Sequence, residues 1–175
     1  DPVSEYIPVF RNLEVFKSGV LGDFQTSAAQ RGMTVRDLLS HQSGLTYGFA
    51  NRTNVDRAYR DAGVLDVVNA GGTLEQMINT LSGIPLEFSP GERWNYSVAT
   101  DVCGYLIEIL SGKTLDVFLE EVIFQPLAMN DTGFYVLQDK QERLATLYQF
   151  EETGLPTAID ESQLDDGTLA RDFTA

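Results

Sequence analysis

The sequence predicts a mostly α-helical domain carrying one or two minor β-hairpins. Three observations point there. Apolar residues recur at helical spacing in one segment after another, most of these segments open with a capping residue, and no set of strand-like runs offers material for a large central sheet.

The elements are legible in order along the chain. Leu13–Phe16 and Phe24–Ser27 read as a hairpin around a loop that holds Gly19 and Gly22. Thr34 precedes Val35-Arg36-Asp37, where the acid at the third helical position can reach back to cap the first turn. Val55 to about Val68 reads as a helix pair broken near Gly63, with Val55, Ala58, Tyr59 and Ala62 on one face. Thr73-Leu74-Glu75-Gln76 is a capping box, followed by Met77, Ile78 and Leu81 at helical spacing and stopped by Gly83 and Pro85. Ser97 is the expected cap of a helix over Val98–Ser111 that ends at Gly112. Its apolar residues cover more than one face, which predicts a central and largely buried helix. Thr114 opens another, with Leu115, Phe118, Leu119, Val122 and Ile123 on one stripe, and Pro126 ends it. Phe134–Val136 and Ala145–Phe150 read as strands or irregular chain. From Glu151 the chain is acidic and loop-like, and residues 1–175 are read as a single domain.

Composition narrows the function. A hydrophobic fraction of 43%, with ten Phe, seven Tyr and one Trp, fits a folded globular protein. The 26 acids against 12 bases give a net charge of −14, without the clustered basic face that a nucleic-acid partner requires. No stretch approaches the ~20 apolar residues of a membrane helix. Cys103 is the only cysteine, lies in an apolar run and reads as packing, so no internal disulfide forms and the compartment stays open. His41 is the only histidine. A zinc site or a Ser-His-Asp triad would have to use it, and neither has the rest of its parts, so no metal or cofactor is expected. The opening Asp1-Pro2-Val3 has no initiator Met and no signal-like run behind it, and reads as the interior of a longer chain or a processed end.

Three segments then resemble one family. Thr34-Val35-Arg36-Asp37-Leu38-Leu39-Ser40-His41-Gln42-Ser43-Gly44-Leu45 resembles the T-V-R-D-L-L-x-H-x-S-G-L signature of serine hydrolases related to class C β-lactamases. Pro90-Gly91-Glu92-Arg93-Trp94-Asn95-Tyr96-Ser97 is similar to their P-G-x-x-W-x-Y-S segment. Ile123 to Thr132 resembles their I-x-x-P-L-G-M-x-D-T, with Ala128 where Gly is usual, and Asp1 to Pro8 resembles their D-P-V-x-x-Y-I-P. The resemblance spans about residues 1–150. It is to the β-lactamase and penicillin-binding-protein-like hydrolases, including the family VIII-type carboxylesterases.

That resemblance implies a fold, an activity and a set of site residues. The chain would be the helical region of an α+β fold, lacking the central sheet. Its intact protein would act on a small-molecule ester or β-lactam through an acyl-enzyme. The family's nucleophile is the Ser of an S-x-x-K motif. Three places before Lys17, Lys113 and Lys140 stand Glu14, Leu110 and Leu137, so this chain holds no such motif and no nucleophile. The family places the Ser just before Asp1 and its third motif after Ala175. Lys17-Ser18-Gly19 imitates that third motif, but ahead of the tyrosine segment instead of behind it. Tyr96 is then the one catalytic residue present, its oxygen relaying a proton between the nucleophile and the leaving group. Tyr47, Gly48 and Phe49 would line the cleft wall, and Ser97 completes the Tyr-Ser pair on the substrate side. His41 is expected to be structural, bonding backbone near its turn. Where the β-lactamases carry an Asn for the lactam side chain this chain has Val98, which favours the esterase relatives. The competing reading is a non-catalytic helical binding module of the same descent. A section cut from its sheet is also expected to self-associate or to take a complementing fragment as partner.

Overall fold

The computed structural model describes residues 1–64, 72–150 and 154–158. They fall in two compact units, Asp1–Leu119 and Glu120–Ala175, where the sequence reading treats 1–175 as one domain.

The first unit opens with two 3-10 turns, Val3–Glu5 and Pro8–Phe10, which turn Val3, Ile7 and Phe10 inward. Short extended contacts tie this opening to the start of the next motif: the Val3 amide donates to the Met33 carbonyl at 2.9 Å and the Val35 amide to the Asp1 carbonyl at 3.1 Å. Strands β1 (Glu14–Val20) and β2 (Asp23–Ala28) form the expected hairpin, antiparallel from Glu14↔Ala28 to Val20↔Asp23. Its turn is only Leu21-Gly22, and Gly22 at φ +89° supplies the left-handed geometry such a tight turn needs. Lys17-Ser18-Gly19 therefore belongs to β1 and not to a loop, with a bulge between Phe16 and Ser18. Leu86 adds a bridge to the hairpin's edge, its amide donating to the Glu14 carbonyl at 2.8 Å.

Local capping explains the helix starts. Helix α1 (Val35–Leu39) begins with the reciprocal Thr34/Asp37 box, and α3 (Leu74–Ser82) with the Thr73/Gln76 box, as the sequence indicates. Helix α2 (Asn54–Asp61) uses a third, Thr53/Asp56. Gly63 at φ +61° follows α2, and most of the second half of the expected helix pair lies outside the described residues.

Helix α4 (Ala99–Ser111) corrects two expectations. Val98, not Ser97, holds its capping position and makes no side-chain cap; the Ser97 hydroxyl accepts from the Ala99 amide at 3.4 Å. Nor is the helix buried all round. Ala99, Val102, Gly104 and Leu106 are buried, while Ile109 is 39% and Leu110 68% exposed. Apolarity on every side does not say which sides have neighbours; α1, α3 and α5 (Leu115–Leu119) supply them here. Gly104 permits the approach, since a methyl at that position would come within 2.9 Å of Leu115 Cδ2. The core behind α4 includes Leu38, Leu45, Val55, Met77, Leu81 and Leu86, all at 2% exposure or less. Each such side chain contributes roughly 1.5–3 kcal/mol of hydrophobic stabilisation.

In the second unit a π turn over Glu120–Phe124 replaces the expected α-helical continuation. At the motif position where Gly is usual, Ala128 has φ +51°, the left-handed conformation that explains that usage. Phe134–Val136 is irregular, and a 3-10 segment spans Gln138–Arg143. Strand β3 (Tyr148–Phe150) pairs antiparallel with β4 (Pro156–Ala158), so part of the stretch read as loop is strand. Among the described residues the strands make two two-stranded antiparallel sheets, and no helix is long and apolar enough to cross a membrane.

Candidate active site

Two of the sequence motifs come together through backbone bonding. The 41–46 loop and the 87–98 segment lie side by side, joined by amide donations from Glu87 to Gly44, Gly91 to Gln42 and Asn95 to His41, each at 2.8 Å. The Asn95 side-chain amide adds a bond to the Leu45 carbonyl at 3.0 Å, and the Val98 amide one to the Thr46 carbonyl at 3.2 Å. Gly44 is required where the two strips touch. Its φ is +85°, and a Cβ there would sit 2.3 Å from the Phe88 carbonyl oxygen.

Between these strips lies a cluster of five rings. Tyr96 is at its centre and 52% exposed, with ring centroids 4.9 Å from His41, 5.1 Å from Tyr47 and 6.5 Å from Trp94. Tyr47 stacks on Phe49 at 4.8 Å, and Phe49 is 63% exposed. Trp94 has the same exposure and lies 6.2 Å from His41. The chain is not helical between Arg93 and Ser97, and its local run puts Trp94 and Tyr96 nearly parallel on one side.

Beneath the cluster the Tyr47 and Ser97 hydroxyls have polar partners. The Tyr47 hydroxyl donates to Asp101 Oδ2 at 3.2 Å, across from the first turn of α4. Burial pushes the Asp101 carboxyl above the ordinary carboxylate range, and the Tyr47 bond and its own backbone amide offset part of that rise. Tyr47 is raised well above an ordinary phenol, by burial first, then by the Asp101 charge and hydrogen bond, with a smaller contribution from Tyr96. Ser97 is fully buried. Its hydroxyl lies 3.4 Å from His41 Nδ1 and from the Ala99 amide, so it faces the protein and not the open side of the cluster. The His41 main chain bonds within its turn in a left-handed conformation at φ +54°, while its ring meets the Ser97 hydroxyl and the Tyr96 ring in place of the backbone partner expected for it. Val98 is fully buried as well.

The structure therefore gathers Tyr96, Tyr47 and Phe49 on one face and turns Ser97 inward beneath them. Sequence reasoning assigns no role to Trp94 or Asp101. The alternation of Trp94 with Tyr96 is a signal that could have found the first; Asp101 reads from sequence only as a first-turn acid.

With two of the motifs meeting at one half-exposed phenol, comparison with known proteins decides the family. The model of the family described as Beta-lactamase matches residues 1–170. The chain belongs to the beta-lactamase family. Protein Rv1367c of Mycobacterium tuberculosis is 34% identical over 157 residues, 87% of this chain and 36% of that protein. Esterase EstB of Burkholderia gladioli is 31% identical over 148 residues, 84% of this chain and 34% of the esterase. Among solved structures, EstCE1, a hydrolase with promiscuous acyltransferase activity, superposes with a TM-score of 0.70 at 29% identity, covering 91% of this chain and 38% of its own. Chain and relatives share the β-lactamase and penicillin-binding-protein fold, and the chain spans little more than a third of the length of each.

Proposed function

We propose that this chain is the tyrosine-bearing section of a serine hydrolase that cleaves or transfers the acyl group of small-molecule esters through an acyl-enzyme. The observation that carries the reading is Tyr96: a hydroxyl-bearing ring half open to solvent at the junction of two family motifs, while its chain neighbours Ser97 and Val98 are sealed. Tyr96 takes the proton of an attacking Ser hydroxyl and returns it to the leaving group. Tyr47 and Phe49 form the wall beside it. Ser97 is assigned a positioning role under His41 in place of direct substrate contact, because no part of it is accessible.

An ester fits better than a β-lactam. The place from which the β-lactamases present an Asn amide is Val98, an apolar side chain with no exposure at all. The names of EstB and EstCE1 point the same way. The Ser-Lys pair and the main sheet are assigned to polypeptide beyond these 175 residues. The apolar side chains left open on α4 and after it, Leu110 and Val122 among them, would pack there or against a second copy.

The test is covalent. A fluorophosphonate should label the full-length polypeptide at one Ser, which peptide mass spectrometry places outside residues 1–175, and should leave the 175-residue chain unlabelled. Stoichiometric labelling of a Ser within the chain would refute the assignment of the nucleophile.

A further inference from the structure

We infer that Asn95 is a positioning residue: its carboxamide, oriented by Arg52, fastens both ends of the loop bearing Tyr47 and Phe49 to the strip bearing Tyr96. This rests on the proposed roles of Tyr96 and of the Tyr47 and Phe49 wall. The P-G-x-x-W-x-Y-S pattern leaves the place of Asn95 open, so resemblance assigns it nothing. In space it is a junction. Its amide donates to the His41 carbonyl at 2.8 Å and its Nδ2 to the Leu45 carbonyl at 3.0 Å, while its Oδ1 accepts from Arg52 Nη2 at 2.8 Å. Leu45 and Arg52 are the two ends of the wall loop, so one planar carboxamide closes that loop at its base. The two sides of the group are not interchangeable. Turned over, its NH2 would face a guanidinium and its oxygen a carbonyl, leaving donor against donor and acceptor against acceptor.

The inner end of the loop has a second tie to the Tyr96 strip, the Val98 amide on the Thr46 carbonyl at 3.2 Å. The outer end is tied to α2 instead. Arg60 Nη1 donates to the Gly48 carbonyl and to Asp56 Oδ1, and the buried Asp56 carboxylate also accepts from the Arg52 amide at 2.6 Å. Thr53 adds a bond to Glu87, well before the rings in the strip; beside the rings the link is Arg52 to Asn95. That link sets how far Phe49, stacked on Tyr47, stands from Tyr96, whose ring is 5.1 Å from that of Tyr47. An ester seated between wall and phenol meets the Tyr96 oxygen at the right distance only while that spacing is fixed, and small misplacements of reacting groups are costly in rate.

The experiment compares Arg52→Met, Asn95→Ala, the double variant and Tyr96→Phe in the full-length polypeptide that carries this chain. The substrate is p-nitrophenyl butyrate, and kcat is counted per Ser titrated by a fluorophosphonate. Arg52 is exposed, and Met keeps most of its stem, so Arg52→Met tests the link even if Asn95→Ala fails to fold. Arg52→Met should lower kcat per site on the order of 10-fold, with KM changed less than about twofold. Asn95→Ala should lose at least as much, and the double variant no more than Asn95→Ala, because both changes remove one link. A kcat within about twofold of the parent for Arg52→Met, beside a crippled Tyr96→Phe, overturns the inference and leaves the role of Tyr96 standing. Losses that multiply in the double variant overturn it, since the two residues would then act separately. A loss confined to the number of titratable sites, with turnover per site intact, also overturns it, because the junction would then serve folding alone. A fully active Tyr96→Phe removes the reading of Tyr96 itself, and this inference with it.

Discussion

Asp37 offers the most quantitative test of how the first motif holds its shape. Its carboxylate is 4% exposed and accepts from Arg31 Nη1 and Nη2 at 2.7 and 2.8 Å, and from the Thr34 amide and hydroxyl at 2.8 and 2.7 Å. Burial pushes the group up, but these four bonds and the Arg31 charge together outweigh it and hold it at about 2, against 3.8 for a free side chain. A depression of that size is on the order of 2 kcal/mol of folding stability. The figure stays below the ~3–5 kcal/mol of a sealed ion pair because Arg31 is 45% exposed and solvent screens its share. The folded pKa lies below the unfolded one, so the stabilisation is complete above about pH 4 and is lost as pH falls toward 2. Asp37→Asn should therefore cost about 2 kcal/mol at pH 7 and under about 1 kcal/mol at pH 2.5, measured by urea denaturation with far-UV circular dichroism. A deficit that is the same at both pH values would refute the account of Asp37 as an ionised hub.

Three further outcomes are expected. Ala128→Gly, at φ +51°, should raise stability by about 1 kcal/mol, read as a higher urea midpoint; a lower midpoint would show that the alanine methyl is itself packed. The isolated chain should self-associate in sedimentation equilibrium at micromolar concentration, and Leu110→Lys, on a residue 68% exposed, should weaken that association; a monomer without dye-binding apolar surface would contradict it. The isolated chain should turn over neither nitrocefin nor p-nitrophenyl butyrate, and steady turnover abolished by Tyr96→Phe would reveal a nucleophile within it.

Local features of this fold are the legible ones. The Thr34/Asp37 and Thr73/Gln76 boxes are satisfied within four residues, so spacing alone finds them. Thr53-Asn54-Val55-Asp56 carries the same pattern, but the apolar stripe beginning at Val55 is the louder signal there and hides the cap. The exposed side of α4 is not legible, because the sequence states apolarity and the neighbours decide burial. The site divides in the same way. Tyr96, Tyr47 and Phe49 are carried by motif resemblance and come together in space. The Tyr47–Asp101 bond joins residues 54 apart whose pairing no local spacing encodes. Ser97 lies next to Tyr96 in the motif, and adjacency suggests a shared role; successive residues of a non-helical strip face opposite ways, and Ser97 is consequently buried where Tyr96 is open.

Tyr96→Phe in the full-length polypeptide tests the central claim most directly. The substitution keeps the ring among His41, Tyr47 and Trp94 and removes one oxygen. Steady-state kinetics on p-nitrophenyl butyrate should show kcat reduced about 10²–10⁴-fold, the contribution of a positioned proton-transfer group, with KM nearly unchanged. A kcat within about threefold of the parent would make Tyr96 a packing residue and contradict the account.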